Sequence, residues 1–205
     1  MPKIALDSVV VGEIAVNCYI VENTETSECL IVDPGAEAER IIARVGSRKP
    51  VAVLLTHGHY DHIGAVDAIC THYQIPLYMH ALEVTKLTDP DLNVSRQFGK
   101  PLVQQTSACT LEDGQRITLA GMELEVIHTP GHTAGGVCYR LPENQGLLTG
   151  DTLFAHGYGR TDFADGDFAV LHQSLRILFR LTPKMMFYPG HEGPGVVGRD
   201  PAREK

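Results

Sequence analysis

Hydrophobic positions along the chain switch between a period of two and a period near 3.6. Residues 4–11, 17–22 and 28–32 are short runs rich in β-branched side chains and read as strands. Gly12-Glu13 turns between the first two, and Asp33-Pro34-Gly35 ends the third. Residues 36–45 change to helical spacing, with Ile41, Ile42 and Val45 on one side. Val51-Ala-Val-Leu-Leu55 is a near-continuous apolar run, the pattern of a strand buried on both faces. Ile63, Val66, Ile69, Cys70 and Tyr73 then recur at helical spacing, predicting one packed helix. A short strand at 76–79 and a helix at 81–87 follow. Residues 89–108 hold Pro90, Gly99 and Pro101 and show no period. A segment that long is a lid or binding loop, or an indifferent surface excursion, and the sequence leaves both open. The second half repeats the alternation. A hairpin at 116–119 and 122–128 turns at Ala120-Gly121, and 137–140 pairs with 146–149 around Pro142. Phe168, Leu171, Leu175 and Leu178 mark a last amphipathic helix with Asp167 as its N-cap. A strand at 184–188 precedes a polar tail, 197–205, expected to fray. Strand-then-helix order in both halves predicts an α/β chain.

Composition narrows this pattern to a globular class. The 205 residues are 43% hydrophobic and 20% charged, enough to bury a core as one domain spanning 1–205. A formal net charge of −8 argues against a bulk grip on nucleic acid or on an anionic membrane. Cys18, Cys29, Cys70, Cys109 and Cys138 are odd in number and scattered, so they form no disulfide framework. The first residues contain no apolar signal segment and no stretch approaches a membrane span. A cytoplasmic address, with neither nucleic acid nor membrane as partner, is the expectation.

The chemistry concentrates in Thr56-His57-Gly58-His59-Tyr60-Asp61-His62, directly after the apolar run. In an extended segment His57, His59 and Asp61 alternate and face one way, while His62 points elsewhere. That spacing predicts two neighbouring metal positions rather than one crowded one. Imidazole and carboxylate donors suit zinc, iron or manganese. With ten histidines in the chain a lone His means little, but three His and an Asp within six positions are hard to obtain by chance. His72, His80, His128, His156 and His172 fall in no motif and read as structural or surface residues.

The T-H-x-H-x-D-H stretch resembles the signature of the metallo-β-lactamase fold superfamily. Thr129-Pro-Gly-His132, Leu148-Thr-Gly-Asp151 and Tyr188-Pro-Gly-His191 match the same pattern in order. The match runs from about Gly12 to His191, and small glyoxalase II-like hydrolases are the most similar members. The resemblance implies a four-layer αββα sandwich, two mixed β-sheets face to face with helices outside. It also implies a ligand set: His57, His59 and His132 for one divalent metal, Asp61, His62 and His191 for a second, and Asp151 bridging. At His191 the chain departs from the family pattern, because Glu192 stands before Gly193-Pro194. Asp33 lies in an I-V-D-P-G context where such an Asp supports the metal loop, although a plain turn Asp accounts for it equally. Arg160, in Gly159-Arg160-Thr161-Asp162, is either a group for ligands or an anionic substrate, or half of a structural ion pair.

The implied activity is metal-dependent hydrolysis of a small-molecule thioester or related ester, with two divalent ions, zinc first, activating water and Asp61 orienting it. Full-length glyoxalase II has a helical C-terminal domain that supplies part of its glutathione site. The chain stops soon after His191, so glutathione specificity is not carried over. Two other readings stand beside this one. One is a mononuclear-iron persulfide dioxygenase using the equivalents of His57, His132 and Asp151. The other is a non-catalytic metal-binding module. A secreted β-lactamase is disfavoured, since Asp151 stands where those enzymes typically use Cys.

Overall fold

A computed structural model describes residues 3–198. Twelve strands form two six-stranded mixed sheets among the described residues. The first sheet contains β1 (Ile4–Val11), β2 (Val16–Asn23), β3 (Glu28–Val32), β4 (Lys49–Leu54), β5 (Leu77–His80) and β6 (Ala108–Leu111), side by side in that order. Its first three strands pair antiparallel, and β3 through β6 pair in parallel. The second contains β7 (Arg116–Leu119), β8 (Met122–His128), β9 (Val137–Arg140), β10 (Leu147–Gly150), β11 (Met186–Pro189) and β12 (Gly195–Val196). There β10 and β11 pair in parallel and the other described neighbours antiparallel.

The alternation of side chains along each strand builds the layers. On β2 and β3, Tyr19, Val21, Leu30 and Val32 point to the other sheet and meet Leu124, Val126, Tyr139 and Leu148. Cys18, Ile20, Cys29 and Ile31 point the opposite way, onto α1 (Ala38–Val45) and α3 (Val66–Tyr73), through Ile41, Val45, Val66 and Ile69. The helix between them in sequence, α2 (Tyr60–Ile63), is a single turn. The outer face of the second sheet carries α4 (Phe168–Leu181), whose Leu171, Leu175 and Leu178 pack on Cys138, Leu147 and Phe187. Helices therefore cover both outer faces of two stacked sheets, the αββα arrangement. Asp167 caps α4, accepting from Val170 N–H at 3.0 Å. Among the described residues no helix is long and apolar enough to cross a membrane.

Several boundaries differ from the expectation, each for a tertiary reason. The helix expected from Ile63 onward is split between α2 and α3. They break at Gly64, where a Cβ would lie 2.2 Å from the Gly35 carbonyl oxygen. Residues 81–87 form a 3₁₀ helix. The aperiodic segment 89–108 holds a 3₁₀ turn, Ser95–Phe98, and ends in β6, an edge strand. Asn93 braces it, its Nδ2 donating to the Lys86 and Leu102 carbonyls. β12 has no signature in the sequence, because two residues carry no period. Val197, expected in the fraying tail, is fully buried, and its N–H donates to the Met185 carbonyl at 2.8 Å. The rest of that tail, 199–205, lies outside the described residues.

Leu54 sits fully buried between the sheets. Leu54→Ala is expected to cost about 2–5 kcal/mol in denaturant unfolding. Leu82 is 56% exposed, and Leu82→Ala should stay within about 0.5 kcal/mol of wild type.

Candidate metal centre

The seven polar residues singled out from the sequence meet at one end of the two sheets. His57 follows β4, and His59, Asp61 and His62 lie on or just before α2. His132 sits in the β8–β9 connection, Asp151 directly after β10, and His191 just after β11. β2 ties the last of these in. Asn17 Nδ2 donates to the Pro189 and Glu192 carbonyls, and Tyr19 Oη to the Pro189 carbonyl at 2.8 Å. Glu192 is left-handed, with φ 69°, which absorbs the extra residue and keeps His191 beside Asp61. Gly190 is required here, since a Cβ would lie 2.3 Å from Asp151 Oδ1 and 2.6 Å from His62 Cε1.

The extended alternation expected of the first motif holds only in part. His59 precedes the first turn of α2, so Asp61 and His62 are helical neighbours rather than alternating strand positions. The two clusters nevertheless form. His59 Nδ1 lies 3.1 Å from His57 Nε2 and 3.0 Å from His132 Nε2. His191 Nε2 lies 3.2 Å from Asp61 Oδ2, and His62 Nε2 lies 3.4 Å from the same oxygen. Asp151 stands between the clusters, with Oδ1 3.3 Å from His62 Nε2 and Oδ2 3.6 Å from both His132 and His191. Three overlapping sets have donor atoms within 4.8 Å of one another: His57, His59 and His132; His57, His62 and Asp151; and Asp61, His62 and His191.

For three of the imidazoles, the other ring nitrogen has a partner that fixes which nitrogen faces the cluster. His132 Nδ1–H donates to the Arg160 carbonyl at 2.6 Å, leaving Nε2 free. His62 Nδ1–H donates to Asp33 Oδ2 at 3.0 Å. Thr56 Oγ1–H donates to Asp33 Oδ2 at 2.7 Å, so its oxygen can accept from His57 Nδ1, 3.2 Å away. Asp33 Oδ1 accepts Thr56 N–H at 2.8 Å. Of the two roles open to Asp33, the structure gives it support of the ligand loop. Such partners fix tautomer and ring orientation.

Burial and neighbouring charge set the protonation. Burial, with the adjacent His132, pushes His59 down to about 3. Burial and the adjacent His62 and His59 hold His57 well below the usual imidazole range. Burial opposes ionisation of Asp151, but His62, His132 and His191 outweigh it and keep the carboxylate charged. Burial likewise disfavours a charged His62, and the Asp61, Asp151 and Asp33 carboxylates overcome it, drawing a proton onto the ring. His62 Nε2 and Asp151 Oδ1 are buried without a hydrogen-bond partner, a cost of about 1–3 kcal/mol each. A divalent cation in place of the His62 proton would meet the ring nitrogens and the ionised carboxylates and satisfy those atoms, so the residues present fit a divalent metal.

A cleft of about 450 Å³ opens over the cluster, rimmed by Ile14, Val94, Phe98, Phe154 and Phe163. Val94 and Phe98 come from the segment 89–108, which thus forms one wall of the site. The Arg160 side chain pairs with Asp162 through Nε and Nη2 at 2.6 and 2.5 Å and lies 4.4 Å over the Phe163 ring. Its contribution to the ligands is the backbone carbonyl. Of the other histidines, His80 and His128 stack at 4.4 Å, and among the described residues neither joins a set able to hold a metal. Glu83 and Asp165, which brace the ligand loops, carry no motif in the sequence, because a lone acidic residue in a turn or helix has no distinguishing spacing.

Known proteins agree with this architecture. BLEG-1, whose crystal structure is that of a B3 metallo-beta-lactamase, is 35% identical, with 94% of each chain covered and a TM-score of 0.90. TTHA1623 in a di-iron-bound form is 34% identical over 93% of this chain and 94% of that one, with a TM-score of 0.83. The hydroxyacylglutathione hydrolase GloC of Haemophilus influenzae is 32% identical over 189 residues, 90% of this chain and 89% of that protein. The family model described as the metallo-beta-lactamase superfamily matches residues 11–191, from the end of β1 to the last histidine of the cluster. With its four motifs folded onto one end of an αββα sandwich, this chain belongs to the metallo-beta-lactamase superfamily.

Proposed function

We propose that this protein hydrolyses a small-molecule thioester with two divalent metal ions, zinc in the first instance. His57, His59 and His132 would hold one ion, Asp61, His62 and His191 the other, and Asp151 both. The observation that carries this reading is the position of Asp151, ionised and between two donor clusters. When bound, such ions lower the pKa of water from 15.7 to about 7 and polarise a carbonyl. The chain supplies the rest. Arg160, Thr56 and Asp33 hold three imidazoles with their second ring nitrogens inward. Asp61, ionised at the cleft floor, orients the attacking water and accepts its proton at a carboxylate oxygen. The rim phenylalanines shield the reacting carbonyl from bulk water.

The thioester rests on the likeness to GloC, whose name is that of a thioester hydrolase, together with a second cluster, Asp61, His62 and His191, complete in all its residues. That same completeness favours a hydrolase over the mononuclear-iron dioxygenase. The five cysteines are unpaired, in keeping with a reducing cytoplasmic setting.

Three measurements test this reading. Elemental analysis of protein purified without added metal is expected to give about two metal ions per chain, with thioester turnover that a chelator abolishes and zinc restores. One iron per chain, with oxygen consumption on a persulfide and no thioester cleavage, would establish the dioxygenase instead. Metal-replete protein inert on thioesters, persulfides and β-lactams would leave a binding module. Asp151→Asn removes the shared carboxylate, and metal content should fall to about one ion per chain or fewer, with hydrolysis lost. Asp33→Asn leaves every proposed ligand in place but weakens the acceptor for Thr56 and His62, and metal affinity should drop about 10–100-fold in chelator competition.

A further inference from the structure

Behind the three-histidine cluster lies a buried ionic network. Glu83, on the 3₁₀ helix Ala81–Leu87, is completely buried. Its Oε2 accepts the N–H of Gly58, the residue between His57 and His59, at 2.7 Å. Its Oε1 accepts the N–H of Gly135, in the turn that carries His132, also at 2.7 Å. Lys86, only 3% exposed, places Nζ 3.4 Å from Glu83 Oε1 and pairs with Asp165 as well. Asp165 Oδ2 accepts Ala134 N–H at 3.0 Å. Asp165 belongs to the same segment as Arg160, whose carbonyl holds His132, and Phe163, whose ring lies 5.1 Å from His59.

The network thus joins three loops that each touch the same cluster. Contacts leave little slack: a Cβ on Gly58 would lie 2.7 Å from Lys86 Cβ, and one on Gly135 would lie 2.8 Å from Glu83 Cγ. Burying a carboxylate and an ammonium, with Asp165 half-buried beside them, is a poor route to stability alone, since apolar replacements of similar volume are often no worse. What a single rigid carboxylate supplies is a fixed distance between two backbone amides on two ligand loops. His62 is held from elsewhere, by Asp33, and the chain on either side of His191 by Asn17 and Tyr19 of β2.

We propose that Glu83 is a positioning residue that sets the separation of the His57–His59 loop from the His132 loop, with Lys86 and Asp165 locking it. The inference rests on the reading that these histidines hold a metal. It predicts that the network tunes the three-histidine position and leaves the Asp61–His62–His191 position alone.

Cobalt(II) titration of metal-free protein tests it, read by ligand-field bands and chelator competition on wild type, Glu83→Gln and Asp165→Asn. The Glu83→Gln change keeps the shape of the side chain, but an amide NH₂ then faces one of the two N–H groups. Affinity at the three-histidine position should fall about 10–100-fold with altered bands, while the other step stays as in wild type. Asp165→Asn should change the same step in the same direction, more weakly, and carries the test if Glu83→Gln fails to fold. Variants with both steps and bands unchanged, or with both steps weakened alike, overturn the proposal while wild-type binding of two ions leaves the metal reading standing. Wild type that takes up no cobalt overturns both.

Discussion

The site depends first on one carboxylate. Asp33, at the end of β3 with a left-handed φ of 52°, is buried, and its two oxygens take three donors from the ligand loop. One bond fixes the backbone at Thr56, one turns the Thr56 hydroxyl so that its oxygen faces His57, and one orients His62. Because β3 and β4 pair in parallel, Val32 lies beside Leu54, and the two strands release their chains at the same edge. Asp33 and the metal loop are therefore neighbours by sheet register, 23 residues apart in sequence.

The remaining ligands reach that edge by the same device in the second sheet. Its parallel pair, β10 and β11, leads into two ligands, Asp151 and His191. Parallel strands point their C-terminal ends the same way, so loops from distant parts of the chain share one rim. Glycines let these loops crowd: Gly150 adopts φ 47° with the Thr56 side chain against it, and Gly190 lies against Asp151 and His62. The result concentrates acidic and imidazole groups where none is well solvated. Asp61 and Asp151 repel each other, and His62 holds charge only because three carboxylates surround it. Such a cluster lowers stability on its own, and bound cations would offset that cost by mass action.

Around this crowded rim the fold is an ordinary product of alternation and amphipathic helices. The central strands of the first sheet meet the other sheet on one face and a helix on the other, so residues 29–32 of β3 and 51–54 of β4 read as unbroken hydrophobic runs. The segment 89–108 shows the limit of such patterns. Asn93 and Ser95, not a hydrophobic period, shape it, and its value to the site is the apolar wall from Val94 and Phe98.

The sequence by itself determined the alternation of strands and helices and the identity of the residues clustered in the first motif, because hydrophobic period and dense ligand spacing are local signals, and the layering came from the family resemblance. Family motifs extended this to His132, Asp151 and His191. Only the tertiary structure decided how the groups serve the site. The choice between turn residue and ligand support for Asp33, the use of the Arg160 carbonyl rather than its guanidinium, and the Glu83–Lys86–Asp165 bridge all arise from hydrogen bonds between segments far apart in sequence. No local period encodes such a bond, since it exists only once sheet register and loop packing have brought donor and acceptor together.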